Sequence, residues 1–285
     1  MYFMSTPMDS VVIEPIDPAN SVLGKLTLLL GAFGFDNPDL SLTELVRRSG
    51  LTKPTVHRLC GELIHWGYLE RSGTDYRLGI RLFEIGQRVG SQRQLRDAAR
   101  PFMEDVQRMT GGVVHLAVRY GTEVLYLDKI TGHRVVQPSR IAGRMPMHCT
   151  ATGKVLLAFA SPELLRMVVA AGLTRMTRHT ITAPGSLAHE LAQVRRAHLS
   201  KEVEETRLGY LSMAAPIRDA AGSVIAALSA TVPSARANLP LISRGVRNAA
   251  HSTSDSVARA DPPGAADGTG GAVRPAPSRA DYGEE

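Results

Sequence analysis

The sequence predicts an α+β chain in two parts: a small helical domain closed by a hairpin, then a larger domain of strands and helices. Three observations carry this. Apolar residues recur at three- and four-residue spacing from Val22 to Ile64, between good capping residues. Alternating runs in the second half, "VVHLAVRYG" with "EVLYLDKI" and "LSMAAPIRD" with "SVIAALSATVP", pair around short turns. The 285 residues, 44% of them hydrophobic, suffice for two modest cores.

The elements follow in order. Residues 1–20 are polar, with Pro7, Pro15 and Pro18, and read as a flexible arm. A helix begins at Ser21, with Val22, Leu23, Leu26, Leu29 and Leu30 as its stripe, and ends at Gly31, Gly34 and "DNPD". Ser41 then caps a second helix, with Glu44 three residues on as the partner of a capping box. Leu42, Leu45 and Val46 are its buried stripe, Gly50 its stop, and Leu51 the plug of the turn. Thr52 caps a third helix, and Pro54 sits in the first turn, where a missing N–H costs nothing. Val56, Leu59, Leu63 and Ile64 face inward; Lys53, Thr55, His57, Arg58 and Glu62 face outward. Cys60 belongs to the core and Trp66 to packing at the helix end. "YLERSGTDYRLG" alternates around Gly73 as a hairpin does.

A helix, a tight turn, a second helix with a polar face and a two-stranded wing make the winged helix-turn-helix layout, whose second helix enters the major groove. Lys53 and Arg58 are placed to donate to guanine edges or phosphates, Thr55 and His57 to reach base edges, and Arg71 and Arg77 to touch backbone phosphates from the wing. The competing readings are a small bundle with a solvated face and a winged helix used for protein contacts.

Residues 80–110 carry a further helical pattern, weakened at Gly86 and Gly90, read as two helices or one kinked helix, with 80–104 as the linker. The first strand pair follows, then a third strand, "HRVVQPSRI". Helices are predicted from near Thr150 through "GKVLLAFA", in "SPELLRMVVAAG" behind a Ser161 cap, and in "GSLAHELAQVRRAHL". The second strand pair comes next, then a last helix over 239–258. From 259 to 285 Pro, Gly, Ala and Ser dominate, and a disordered tail is expected.

The chain carries net charge +6, but not where the DNA-binding motif lies. Residues 1–90 hold 9 basic and 10 acidic side chains, whereas residues 91–180 hold 13 and 6. Total charge alone therefore does not indicate nucleic-acid binding. Two distant cysteines, Cys60 and Cys149, no basic-apolar leader and no long apolar run point to a cytoplasmic protein without a membrane span.

No catalytic centre, metal site or cofactor is expected. "ATGKV" lacks the early Gly of a P-loop and has Val155 where magnesium would need a hydroxyl. His148 and Cys149, adjacent in the chain, do not aim at one atom. Glu202, Glu204 and Glu205 read as a solvated turn, and His115 and Arg119 as facing solvent or bordering a cleft. "HCTATGK" is the exception. It opens a helix, so the N–H groups of Thr152 and Gly153 should point from the helix end at a carboxylate, with Gly153 admitting a close approach.

"LTELVRRSGLTKPTVHRLCGELIHWGYLER" resembles the DNA-binding half of the IclR family of bacterial transcriptional regulators. "MPMHCTATGKVLLAF", "TITAPGSLAHELAQVRRA", "EETRLGYLSMAAPIRD" and "GSVIAALSATVPSAR" resemble that family's effector domain, in its order. The resemblance implies a winged helix-turn-helix over 21–79 and, over 105–258, a GAF-like domain with an antiparallel sheet flanked by helices. It implies a dimer, or a dimer of dimers, on a palindromic operator in double-stranded DNA. It also places effector contacts on Ala151, Thr152, Glu202, Tyr210, Ser212, Ser229 and Thr231. Ser212 stands where many members carry Cys, and Glu202 where some carry Asp. The expected function is repression or activation of a catabolic or metabolic operon, controlled by an organic or aromatic acid. The alternative is a GAF-like sensor or enzyme whose winged helix contacts protein. Binding of a promoter fragment against competitor DNA separates the two.

Overall fold

The computed structural model describes residues 20–34, 36–131 and 141–260. Residues 1–19 of the expected arm, most of "HRVVQPSRI" and residues 261–285 of the expected tail lie outside them; Arg259 and Ala260, assigned to that tail, instead end the last helix. Two compact units divide the chain between Val89 and Gly90.

The first unit holds helices α1 (Val22–Gly31), α2 (Leu42–Ser49) and α3 (Lys53–His65), the hairpin β1 (Leu69–Ser72) and β2 (Asp75–Leu78), and helix α4 (Ile80–Gly86). Ser41 Oγ accepts from Glu44 N and caps as expected, and Ser21 Oγ accepts from Gly24 N in the same way. The reciprocal half of the capping box is replaced: the Glu44 carboxylate pairs with Arg47 and Arg48. Those two guanidiniums hold it far below the usual carboxylate range, at about 2. Gly50 adopts the left-handed conformation at φ 72° that ends α2, where a Cβ would be strained. Leu45, Leu51, Val56, Leu59, Cys60, Leu63, Leu69 and Tyr76 close one apolar core. Leu40 pairs with Tyr76 through two 2.9 Å backbone bonds and adds an edge to the wing.

Two expectations of packing fail here. Of the α1 stripe only Leu29 is fully buried, while Leu23 is 75% exposed. Trp66 is 55% exposed, with its ring edge-on to that of His65.

The segment expected to link the domains is two helices, α4 and α5 (Gly90–Thr110), interrupted at 87–89 beside the two glycines that weaken the pattern. Helix α5 opens the second unit. There a six-stranded antiparallel sheet has the order β5-β4-β3-β8-β7-β6. Its strands are β3 (Val113–Tyr120), β4 (Glu123–Ile130), β5 (Arg144–Pro146), β6 (Ser200–Val203), β7 (Tyr210–Arg218) and β8 (Val224–Pro233). Helices α5 and α9 (Leu239–Ala260) cover one face, around Val114, Leu116, Leu127, Leu228 and Val246. Helices α6 (Ala151–Ala158), α7 (Pro162–Ala170) and α8 (Pro184–Ala197) cover the other, around Ala117, Tyr126, Val155, Leu187 and Ala227.

Strand β6 was not expected. Its buried Glu202 mimics a solvated turn in the sequence, yet Glu202 pairs with Ser212 across the ladder. Glu205 is buried too, so the predicted solvated turn is corrected for both residues. Ser161 stands at the N-cap of α7, but its side chain makes no capping bond.

The β3–β4 ladder carries a bulge. Ala117 pairs with Tyr126 and Leu116 with Asp128, leaving Leu127 as the extra residue. Alternation therefore breaks after Tyr126, which faces α6: Leu127 and Asp128, adjacent in the chain, both turn toward α5. Asp128 reaches Arg100 of α5 at 3.1 Å.

Candidate functional sites

The first site is the outer face of α3. Lys53, His57 and Arg58 are exposed, Thr55 is half-buried, and Val56, Leu59 and Leu63 beneath them are buried. Thr52 occupies the N-cap without capping; its hydroxyl lies 2.9 Å from that of Thr55, so these two polar groups engage each other. Arg58 Nη1 sits 2.5 Å from Glu62 Oε1 one turn on. On the wing, Arg71 lies over the Tyr76 ring at 4.2 Å and donates to the Thr74 carbonyl. Arg77 pairs with Glu70 at 3.0 Å. All three arginines are exposed, and pairs of this kind exchange readily for phosphates because a surface ion pair contributes little.

The second site lies between the sheet and the start of α6. The ladder sets Glu202, Ser212 and Thr231 in one row across β6, β7 and β8, and Ala214, Ser229 and His115 in the next. Period-two geometry puts Tyr210, Ser212, Ser229 and Thr231 on one face, the face that α6 covers. All but the half-buried Tyr210 are buried. The Ser212 and Thr231 hydroxyls are 2.9 Å apart. Glu202 Oε1 accepts from the N–H groups of Glu205 at 2.6 Å and Thr206 at 3.0 Å.

Two expectations for the helix start are corrected. The Gly153 N–H is not free: it donates to Thr150 Oγ1 at 3.1 Å, and that hydroxyl donates to the Pro146 carbonyl. Gly153 makes room for protein and not for a ligand, since a Cβ there would sit 2.4 Å from the Met147 carbonyl oxygen. Ala151 and Thr152 keep first-turn N–H groups, and the buried Thr152 hydroxyl has no hydrogen-bond partner of good geometry.

His115 faces this site and not solvent. It is 1% exposed and stacks on Tyr126 with ring centroids 4.5 Å apart, and burial drives its pKa down to about 3. The sequence concealed both rings, because β3 and β4 are buried on both faces and alternation no longer separates core from solvent. Arg119, by contrast, is exposed.

Family models match both units. One described as the IclR helix-turn-helix domain matches residues 22–73, and one described as the bacterial transcriptional regulator IclR C-terminal matches residues 87–257. The chain belongs to the IclR family. Among curated relatives, the transcriptional regulator XynR of Escherichia coli is 32% identical over 212 residues, covering 73% of this chain and 84% of its own. KdgR of the same organism is 33% identical over 224 residues, covering 77% and 84%. An IclR homologue from Microbacterium hydrocarbonoxydans, solved with 4-hydroxybenzoate, superposes with a TM-score of 0.80 at 35% identity, covering 84% of this chain and 100% of that one. IclR of Thermotoga maritima superposes at 0.66 and 26% identity, covering 82% and 97%. The protein is a transcriptional regulator with a DNA-binding helix-turn-helix and an effector-binding domain. No helix among the described residues is long and apolar enough to cross a membrane.

In this IclR regulator the electrostatics of the second unit centre on Lys154. It is 1% exposed, with Nζ 2.5 Å from Glu205 Oε1, 3.2 Å from Glu190 Oε1 and 3.3 Å from the Lys201 carbonyl. Burial raises the carboxyl pKa values of Glu202 and Glu205, and Lys154 offsets part of the rise. A carboxyl whose pKa is raised on folding stabilises the native state most fully below its unfolded value. That stabilisation is lost as pH rises through the folded value. Glu202→Gln keeps the acceptor oxygen and stays neutral. The melting-temperature difference, variant minus wild type, should therefore be more positive at pH 7.5 than at pH 5. A difference independent of pH would show that Glu202 is ionised at no cost in the fold.

Proposed function

We propose that the protein acts in the cytoplasm as a homodimer. It reads a palindromic operator through Lys53, Thr55, His57 and Arg58, with Arg71 and Arg77 on phosphates. Its effector is a small organic acid, with aromatic acids foremost, held among Ala151, Thr152, Glu202, Tyr210, Ser212, Ser229 and Thr231. Occupancy of that site alters operator affinity and so controls a catabolic or metabolic operon. The protein is a regulator and carries out no chemistry on its ligand.

The observation that carries the reading is the convergence of Ser212, Ser229 and Thr231 on one buried sheet face under the start of α6. Ser212 and Thr231 satisfy each other at 2.9 Å, so the face keeps polar groups in an otherwise apolar core at little cost, and they can exchange that bond for one to a ligand. The 4-hydroxybenzoate held by the Microbacterium homologue supports an aromatic acid. Gly153 leaves the proposed contact set because its N–H and its Cα face are both occupied by protein.

The test is binding of a fluorescent fragment of the promoter beside the protein's own gene, against excess competitor DNA, with wild type and Arg58→Ala. The variant should lose ~1–3 kcal/mol of specific binding. Its melting temperature should be unchanged, because the Arg58–Glu62 pair lies on the surface. A folded variant that binds as wild type does would remove Arg58 from the interface. A wild-type protein that fails to outcompete random DNA would favour the protein-contact reading.

A further inference from the structure

We infer that Tyr126 is a further effector contact, whose hydroxyl joins that of Thr152 in binding the carboxylate of a small monocarboxylic acid. This rests on the proposed effector site and adds to it a strand, β4, that carries none of the contacts named above.

Three observations support it. Tyr126 is on the α6-covered face, in the row beside His115 and Ser229, because the bulge at Leu127 leaves it paired with Ala117. Its phenol lies near Thr152, Glu202 and Cys149, each of which acts on its ionisation. The Thr152 hydroxyl is 2% exposed and makes no hydrogen bond of good geometry, although it lies close enough to the phenol to interact with it. A buried donor without an acceptor is costly. The two hydroxyls therefore stand at one place, next to the first-turn N–H groups of α6, where both can turn their protons toward an incoming acceptor.

The chemistry selects the acceptor. Burial raises the Tyr126 pKa further above neutrality, so the phenol keeps its proton and donates. His115, stacked on it, is neutral, so no buried imidazolium supplies the attraction. The cation nearby, Lys154, is already held by Glu205 and Glu190. What remains is a set of neutral donors at the positive end of a helix, which suits a singly charged carboxylate with two acceptor oxygens. A multiply charged phosphate would meet buried Glu202 and Glu205 without a free cation to balance it. The ring stack also fixes Tyr126: with His115 on one side, its hydroxyl is aimed by packing and does not have to be ordered on binding.

The experiment is isothermal titration of the full-length protein with four probes: benzoate, 4-hydroxybenzoate, pyruvate and benzamide, the neutral counterpart of benzoate. Wild type should bind at least one of the three carboxylates, and benzamide at least ten-fold more weakly than benzoate if benzoate binds. Tyr126→Phe keeps the ring and the stack, and Thr152→Val keeps the shape. Each should weaken the carboxylate by about ten- to a hundred-fold, the range for a hydrogen bond to a charged group. Melting curves establish that the variants are folded. Carboxylate binding unchanged in folded Tyr126→Phe, benzamide bound as tightly as benzoate, or no carboxylate bound would each overturn the inference. Ser229→Ala separates this from the wider reading. If it abolishes binding while Tyr126→Phe does not, the effector site stands and only the role of Tyr126 falls. If neither variant matters, the site itself lies elsewhere.

Discussion

Lys154→Met should lower the stability of the second unit by roughly 3–5 kcal/mol, the cost of removing one partner from a buried ion pair. For a unit of this size that corresponds to a fall in melting temperature on the order of ten degrees. Among the described residues Lys154 is the cation within bonding distance of buried Glu205, whose Oε2 has no hydrogen-bond partner, and it also ties α6 to Glu190 of α8 and to the β6 backbone. Met fills the volume but leaves the Glu205 carboxyl buried without its ammonium. Adding Glu205→Gln should recover a large part of the loss, since the second change removes the stranded charge. Thermal melts of the wild type, both single variants and the double variant form the cycle. If the losses simply add, Lys154 contributes by packing and not by charge.

Gly153→Ala should cost about 1–3 kcal/mol or more, a large effect for one methyl group. The new Cβ would lie 2.4 Å from the Met147 carbonyl oxygen and 2.5 Å from both Met147 Cα and Thr150 Oγ1. Two of these atoms are backbone and cannot swing aside. Relief requires α6 to move from the loop, which would also stretch the Thr150 cap on Gly153 N. Urea unfolding followed by circular dichroism measures the loss. A variant as stable as wild type would mean that the loop at Met147 yields easily, and the close approach would then have no energetic consequence.

Much of the first unit was legible because its signals are local. Ser41, Gly50, Pro54 and the Val56–Leu59–Leu63 stripe act within one or two turns, and the helices fall where those residues require. The family resemblance implied an antiparallel sheet but its strand order was not legible, because pairing β3 with β8 joins residues more than a hundred positions apart. The errors share a cause: polarity misleads where a distant partner satisfies it. Glu202 looks like a surface residue until the N–H groups of Glu205 and Thr206 turn back on it. His115 looks like half of a solvent-facing pair until Tyr126 covers it. Gly153 has the residue type of a ligand-approach position, but only the path of Met147 reveals what approaches it. Trp66 errs in the opposite sense: an aromatic residue at a helix end suggests packing, and it is exposed.

The bulge in β4 also governs which changes of chain length this sheet can absorb. Leu127 is the residue its neighbour strand does not match, so removing it would close the ladder and leave Tyr126 and Asp128 on the faces they now occupy. The loss would be one leucine side chain from the α5 core. Removing Leu125 would also close the ladder, but Tyr126 would then turn toward α5 and Leu127 toward α6. Two deletions two positions apart, equal in length and in the residue removed, should thus part sharply: the first would keep the phenol beside Thr152, and the second would carry it through to the opposite side of the sheet.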